Sequence, residues 1–312
     1  MSENKVVPGA GGMEEFAALV ALDWGDREHS WVLQAPGSQK REVGKLAQTP
    51  AAIEQWAAGL AARFGERPIA VALEQSRGAL VCALMRYRHL TIYPIPPAAS
   101  AGFRAFAAPS GSKNDDQDAG MLLDMLLWHR EKFRALRPDE EQTRKLQALV
   151  ELRRQLVDQK TAATNQLTAH LKLCFPQALE WFDETGAPLT VAFLRRWPTL
   201  PELQAEKPET FLEFLHAHNC RSESRNRKRL EEMASARPLT TDPAVIEPAV
   251  LMIRTLLDLI DSLRKGISDM ERAIEGLFTS HPDSAIFASF PGAGPALAPR
   301  LLAAFGSEWP CC

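Results

Sequence analysis

Apolar positions follow two rhythms along the chain, and the change comes near residue 138. Before it, short apolar runs alternate with stretches of helical spacing. Phe16–Leu22 is an unbroken apolar run that ends at Asp23, Trp24 and a turn glycine, Gly25, which predicts a strand closed by a carboxylate. His29–Gln34 reads as a returning strand. Ile53, Trp56, Leu60 and Phe64 give residues 50–64 a helical period. Pro68–Leu73 is a second buried strand and also ends on a carboxylate, Glu74. A helix over 77–87 and a short strand over 90–94 follow, and a Pro/Ala/Ser-rich segment, 95–112, reads as a connector. Strands alternating with helices predict an α/β domain with a partly parallel sheet.

After the change the pattern is helical. Residues 138–173 are rich in Glu, Gln, Leu, Lys and Arg, with Leu149, Leu152, Leu156, Ala163 and Leu167 as an apolar seam. Prolines break 176–245 into short helices and loops. In the last long helix, Ile253, Leu256, Ile260, Leu263, Ile267, Met270, Ile274 and Leu277 form a heptad seam. Gly266 and Gly276 weaken that helix on its own, so it needs a partner. Residues 138–173 are the expected partner, within the chain or across a homo-oligomer. The expected organisation is a loose leader (1–14), an α/β domain (15–135), a helical region (136–280) and a last segment (281–312).

The 312 residues suffice for two domains with their own cores. Apolar residues make up 46% and charged residues 24%, the balance of a globular protein rather than a disordered or membrane one. No apolar run is long enough to span a bilayer and the N-terminus lacks a signal-peptide core, so the cytoplasm is the expected compartment. Five scattered cysteines indicate no disulfide framework. A net charge of −3 provides no global basic field, so contact with nucleic acid must rest on local patches.

The candidate chemistry centres on Lys113-Asn114-Asp115-Asp116-Gln117-Asp118-Ala119, directly before a helical run. Asp115 and Asp118, three apart, share one face of a helix. Two carboxylates held that close favour a cation, and a hard divalent ion such as Mg2+ takes such oxygen ligands. Taken alone, the pair reads more readily as an acidic first turn at the positive end of a helix dipole. Asp23 and Glu74 shift that balance, because ligands in open α/β sheets bind at the carboxyl ends of strands. Four carboxylates suffice for two metal ions, an arrangement suited to phosphoryl transfer.

An Asp after the first strand, a Glu after a later one and a Lys-x-Asp-x-x-Asp-Ala box opening a helix together resemble the DEDD transposases of insertion sequences. That group is related to the Piv site-specific invertases and is described as bridge-RNA-guided recombinases. Phe290-Pro291-Gly292-Ala293-Gly294-Pro295, followed by Leu301–Gly306, is similar to the start of the family's C-terminal domain. Asn114 replaces the usual Thr. The resemblance implies an RNase H-like (RuvC-like) N-terminal domain, a long antiparallel coiled coil and a helical C-terminal transposase domain. Asp23, Glu74, Asp115 and Asp118 would be the catalytic acids, holding Mg2+ or Mn2+ as two ions, with DNA and an element-encoded guide RNA as partners. The family also carries a serine nucleophile in a Ser-Gly context well downstream of the Pro-Gly-x-Gly segment. Here only Ser307 follows, too close and in another setting, before Cys311 and Cys312. The four acids are therefore carried over and no serine is. The expectation is a truncated C-terminal domain and a chain whose full recombination activity is in question.

Other constellations are weaker. Lys113 could meet a phosphate. Arg225, Arg227, Lys228 and Arg229, with Arg221 nearby, form a basic cluster able to neutralise phosphates, although a solvated helix face explains it equally. Arg153 and Arg154, with Lys145 and Lys160, would extend it. Gly292 and Gly294 resemble a helix-hairpin-helix turn whose backbone N–H groups approach a phosphate. His216, His218 and Cys220 lack the second pair that a zinc site needs, and Trp24 reads as a packing residue. Two other classes compete: a non-catalytic RNA- or DNA-binding remnant that assembles with full-length copies, and an actin-like ATPase. The ATPase would need a second glycine-rich phosphate loop, which the sequence lacks.

Overall fold

The computed structural model describes residues 15–107, 115–137 and 139–306, and the chain divides between residues 138 and 139 into two compact units. The first contains β1 (Ala18–Asp23), β2 (Glu28–Gln34), β3 (Arg41–Ala47), α1 (Pro50–Phe64), β4 (Ile69–Leu73), α2 (Ala79–Leu84), β5 (Leu90–Pro94), α3 (Pro97–Ala107) and α4 (Asp115–His129). The five strands form one mixed sheet in the order β3-β2-β1-β4-β5. β1, β2 and β3 are antiparallel neighbours, whereas β1, β4 and β5 run parallel.

β1 and β4 read as unbroken apolar runs because helices cover both faces of the sheet. One face carries the larger side chains, Val20, Leu22, Ile69, Val71 and Leu73, in a core shared with α1 (Ile53, Ala57, Leu60) and α2 (Leu80, Val81, Leu84). The other presents Leu19, Ala21, Ala70 and Ala72 to Ala119, Leu122, Leu123 and Leu126 of α4. Three alanines on that face let α4 lie close against β1 and β4. Around α1 the local signals agree with the packing. Thr49 caps its start by accepting from the Ala52 N–H, Pro50 opens it, and Gly65 ends it in the left-handed conformation.

Two elements depart from the reading of the sequence. β3 is an edge strand that pairs with β2 from Glu28↔Ala47 to Gln34↔Arg41, and Leu46 is its one buried residue. Its alternation is too weakly apolar to stand out. The 95–112 connector contains α3, a helix that Pro97 opens and whose alanines sustain it.

The second unit contains α5 (Glu141–Cys174), α6 (Gln177–Trp181), α7 (Pro188–Arg196), α8 (Leu200–Gln204), α9 (Pro208–Ala217), α10 (Glu223–Ser235), α11 (Pro243–Ser280), α12 (Ser284–Ala288) and α13 (Ala298–Phe305). The long helices α5 and α11 pack antiparallel. Gln142 Nε2 donates to Leu277 O at 3.0 Å, Arg153 Nε donates to Glu271 Oε1 at 2.9 Å, and Leu156 Cδ1 lies against Gly266, where a Cβ would approach it to 3.3 Å. Gly266 thus weakens the helix at a point where a partner side chain packs against its backbone. Ile253, Leu256, Ile260, Leu263 and Ile274 are buried, and Ile267, Met270 and Leu277 are half-buried. The heptad seam is therefore occupied by α5 of the same chain. Leu152 does not belong to the α5 seam, being 45% exposed; Leu146 and Leu171, both buried, do. Around Phe193 of α7 a second core gathers Phe175, Trp181, Phe182, Trp197, Phe211 and Phe214, with ring centroids 4.7–6.4 Å from it. Among the described residues, no helix is long and apolar enough to cross a membrane.

Candidate active site

The parallel register of β1 and β4 pairs Leu22 with Leu73. Asp23 and Glu74 are the next residue in each strand's direction, so the two residues follow adjacent strand ends at the carboxyl edge of the sheet. Both are half-buried. A tight turn follows Asp23. A Cβ on Gly25 would come within 2.2 Å of the Glu28 carbonyl oxygen, so only glycine fits. Its N–H donates to Nδ1 of the fully buried His29 at 3.1 Å. Since Nδ1 accepts, the His29 proton sits on Nε2, where it faces Gln48 Oε1. Trp24, read as a packing residue, is instead 48% exposed beside Asp23.

α3 joins Glu74 to Asp118. The Ser100 hydroxyl, nearly fully buried, donates to Glu74 Oε1 at 2.6 Å. Pro97 O lies 3.0 Å from the same hydroxyl, but the shorter bond goes to the charged acceptor. One turn further along α3, Arg104 Nη2 reaches Asp118 Oδ1 at 3.1 Å. Arg104 Nε is buried without a hydrogen-bond partner. Asp118 is held near the start of α4 by Ala119, which is buried against the sheet. Asp115 begins α4, but its side chain lies outside the described residues, as does Lys113. Ser100 and Arg104 were missed in the sequence because their segment read as a connector. A Ser and an Arg four apart behind a Pro-Pro start were the available signal.

The donor set is all carboxylate oxygen, which suits a hard divalent ion rather than a soft one. Asp23 and Glu74, with Asp118 one turn of α3 from Glu74's partner, are the residues that would hold it. Among the described residues no group of three or more metal-ligating side chains converges closely enough to hold an ion, and Asp118 is turned to Arg104 instead. His216, His218 and Cys220 form no such group either, and the His218 ring lies against Phe214, 4.6 Å between centroids.

The basic residues separate into two kinds. Arg229 is structural: its guanidinium donates to Trp181 O at 3.1 and 2.8 Å and lies 5.1 Å from the Phe182 ring centroid. Arg225, Arg227 and Lys228 are exposed on α10, with Lys228 3.4 Å from Glu232. Arg153 is engaged with Glu271, and Arg154 lies 3.9 Å from Asp158. These two arginines line a groove of about 990 Å3 together with Pro295 and Leu297, which follow the glycine turn. Glu151, Asp158, Glu271 and Glu275 line it too, so its field is mixed rather than basic. Gly292 has φ +79° and needs glycine, whereas Gly294 does not share that conformation. The Gly294 N–H is bonded to Gly292 O at 3.0 Å, which removes one of the donors that a phosphate would need.

A family model described as a transposase, of the IS110-type DEDD group, matches residues 20–176. A Streptomyces coelicolor protein assigned as the mini-circle transposase for IS117 is 28% identical over 304 residues, covering 95% of this chain and 73% of that protein. The family match spans β1 through α5 and covers half of the chain. The protein belongs to the IS110-type DEDD transposase family.

Proposed function

We propose that this insertion-sequence transposase cleaves and transfers DNA strands at a divalent-metal site built from Asp23, Glu74, Asp115 and Asp118, guided by an element-encoded RNA. The observation that carries the reading is the side-by-side placement of Asp23 and Glu74 at the ends of parallel strands, with Glu74 tied through α3 to Asp118. The strand order supports an RNase H-like unit, and the occupied heptad seam of α11 supports an antiparallel coiled coil following it in the chain. Mg2+ or Mn2+, as two ions, would supply Lewis-acid stabilisation of the attacking and leaving oxygens of a phosphodiester. The chain's own part is to fix the geometry. The glycine turn after β1 holds Asp23, the Ser100 bond holds Glu74, and the packing of α4 on the alanine face holds Asp118. Arg225, Arg227 and Lys228 offer an exposed cationic strip to nucleic-acid backbone, which neutralises phosphates without reading sequence.

The test is nicking of element-end DNA with the matching RNA, with Mg2+, with Mn2+ and with chelator. Metal-dependent nicking that Asp115→Ala abolishes is the expected result. RNA binding without any nicking in wild type would favour a protein that binds but does not cut.

A further inference from the structure

We propose that Ser100 and Arg104, one turn apart on α3, act on the acidic site in opposite directions. Ser100 holds Glu74 in its ion-binding orientation. Arg104 occupies Asp118 in the ion's absence and, once displaced, is positioned to receive a phosphate oxygen of the DNA. The inference rests on the reading of these acids as ion ligands.

Ser100 is 4% exposed, and its hydroxyl donates to one oxygen of Glu74. A buried donor to one oxygen fixes the carboxyl plane and leaves the second oxygen to coordinate. Partners of this kind, one shell out from an ion, contribute about 10- to 100-fold in metal affinity. Arg104 does the reverse. Its guanidinium faces Asp118 Oδ1 at 3.1 Å, with side-chain exposures of 36% and 17%. A divalent ion arriving at Asp118 meets a fixed positive charge within a few ångström, and two cations facing one carboxylate repel. The ion therefore binds at the expense of the Arg104 contact. Arg104 projects from α3 one turn beyond Glu74's partner, and even while it faces Asp118 its buried Nε–H has no acceptor. A planar fork with spare donors matches phosphate oxygens in pairs.

A purely structural pair of contacts would behave differently. If Ser100 and Arg104 only fasten α3 to its neighbours, losing either loosens the site and weakens ion binding in the same direction. The opposed roles predict opposite signs. The experiment is Mn2+ binding to the full chain without nucleic acid, followed by electron paramagnetic resonance, with thermal melts as a folding control. Ser100→Ala should weaken Mn2+ binding about tenfold, and Ser100→Thr, which keeps the hydroxyl, should restore it. Arg104→Gln should tighten Mn2+ binding roughly threefold, the size of a partly exposed ion pair, while nicking of element-end DNA falls. Arg104→Lys should return the affinity to wild type. Weaker or unchanged binding in Arg104→Gln, or unchanged binding in Ser100→Ala, overturns the inference. Glu74→Gln separates the two levels. If it binds Mn2+ as wild type does, or wild type binds none, the metal-site reading fails and this inference with it. If Glu74→Gln loses binding while the α3 variants show no opposition, the inference alone fails.

Discussion

Ala72→Leu tests whether the seating of α4 controls the acidic site. Ala72 is fully buried on the sheet face that meets α4, one residue before the strand end that leads to Glu74. It pairs with Ala21 across the strands and shares its core with Ala70 and the α4 residues Ala119 and Leu122. Leucine adds three carbons where the close approach leaves no room for them, and overpacking of this kind costs about 1–3 kcal/mol. At about 2 kcal/mol the folding equilibrium shifts roughly 30-fold, and the melting temperature of a unit this size falls by roughly 5–10 °C. The strain is relieved most readily by lifting the start of α4, which carries Asp118 away from the strand ends. Nicking should therefore fall at temperatures where the protein is still folded. Val43→Ala, at an exposed edge position, is the control and should melt within about a degree of wild type. If Ala72→Leu melts like wild type and nicks like wild type, α4 does not sit on the alanine face and the positional argument for Asp118 collapses.

Three further outcomes follow from particular contacts. Arg229→Ala removes both bonds to Trp181 O and the contact with Phe182, so urea unfolding should show a loss of about 1–3 kcal/mol; Arg225→Ala and Arg227→Ala should unfold as wild type but bind DNA more weakly, with a shallower salt dependence. Burial pushes the Cys174 thiol up and Cys82 is exposed, so iodoacetamide at pH 8 should label Cys82 about tenfold faster or more by peptide mapping; equal rates would contradict the buried end of α5. The hydrogen bond from Arg63 holds the Glu42 carboxyl below its ordinary 4.5. A depressed carboxylate stabilises the fold above its unfolded pKa and loses that contribution as pH falls through the folded value. Wild type should therefore melt slightly above Glu42→Gln at pH 6, and the gap should close below pH 4.

What could be read from the sequence, and what could not, divides along physical lines. β1, β4, α1 and α11 announced themselves because burial dictates their composition: unbroken apolar runs under two helical layers, and a heptad seam against α5. β3 stayed hidden because an edge strand needs hydrogen bonds more than apolar side chains, and Arg41, Glu42 and Lys45 mask its alternation. α3 was lost to its prolines, although Pro97 opens the helix rather than breaking it. That loss extended to the site, since the residues fastening Glu74 and Asp118 lie on α3. The four acids stood out as candidates because each follows a strand or opens a helix. Their partners Ser100 and Arg104 did not, because a hydroxyl or guanidinium gains its role only when the fold brings it to a carboxylate. The basic residues show the same limit: spacing alone does not tell that Arg229 is bound to a backbone carbonyl while Arg227 faces solvent.

The measurement that bears most directly on the central claim is single-turnover nicking of element-end DNA, with the matching RNA and Mg2+, by wild type and by Asp23→Asn and Glu74→Gln. The account predicts a loss of about 100-fold or more in each variant, with guide RNA still bound and the melting temperature preserved. Nicking at the wild-type rate in either variant would contradict it.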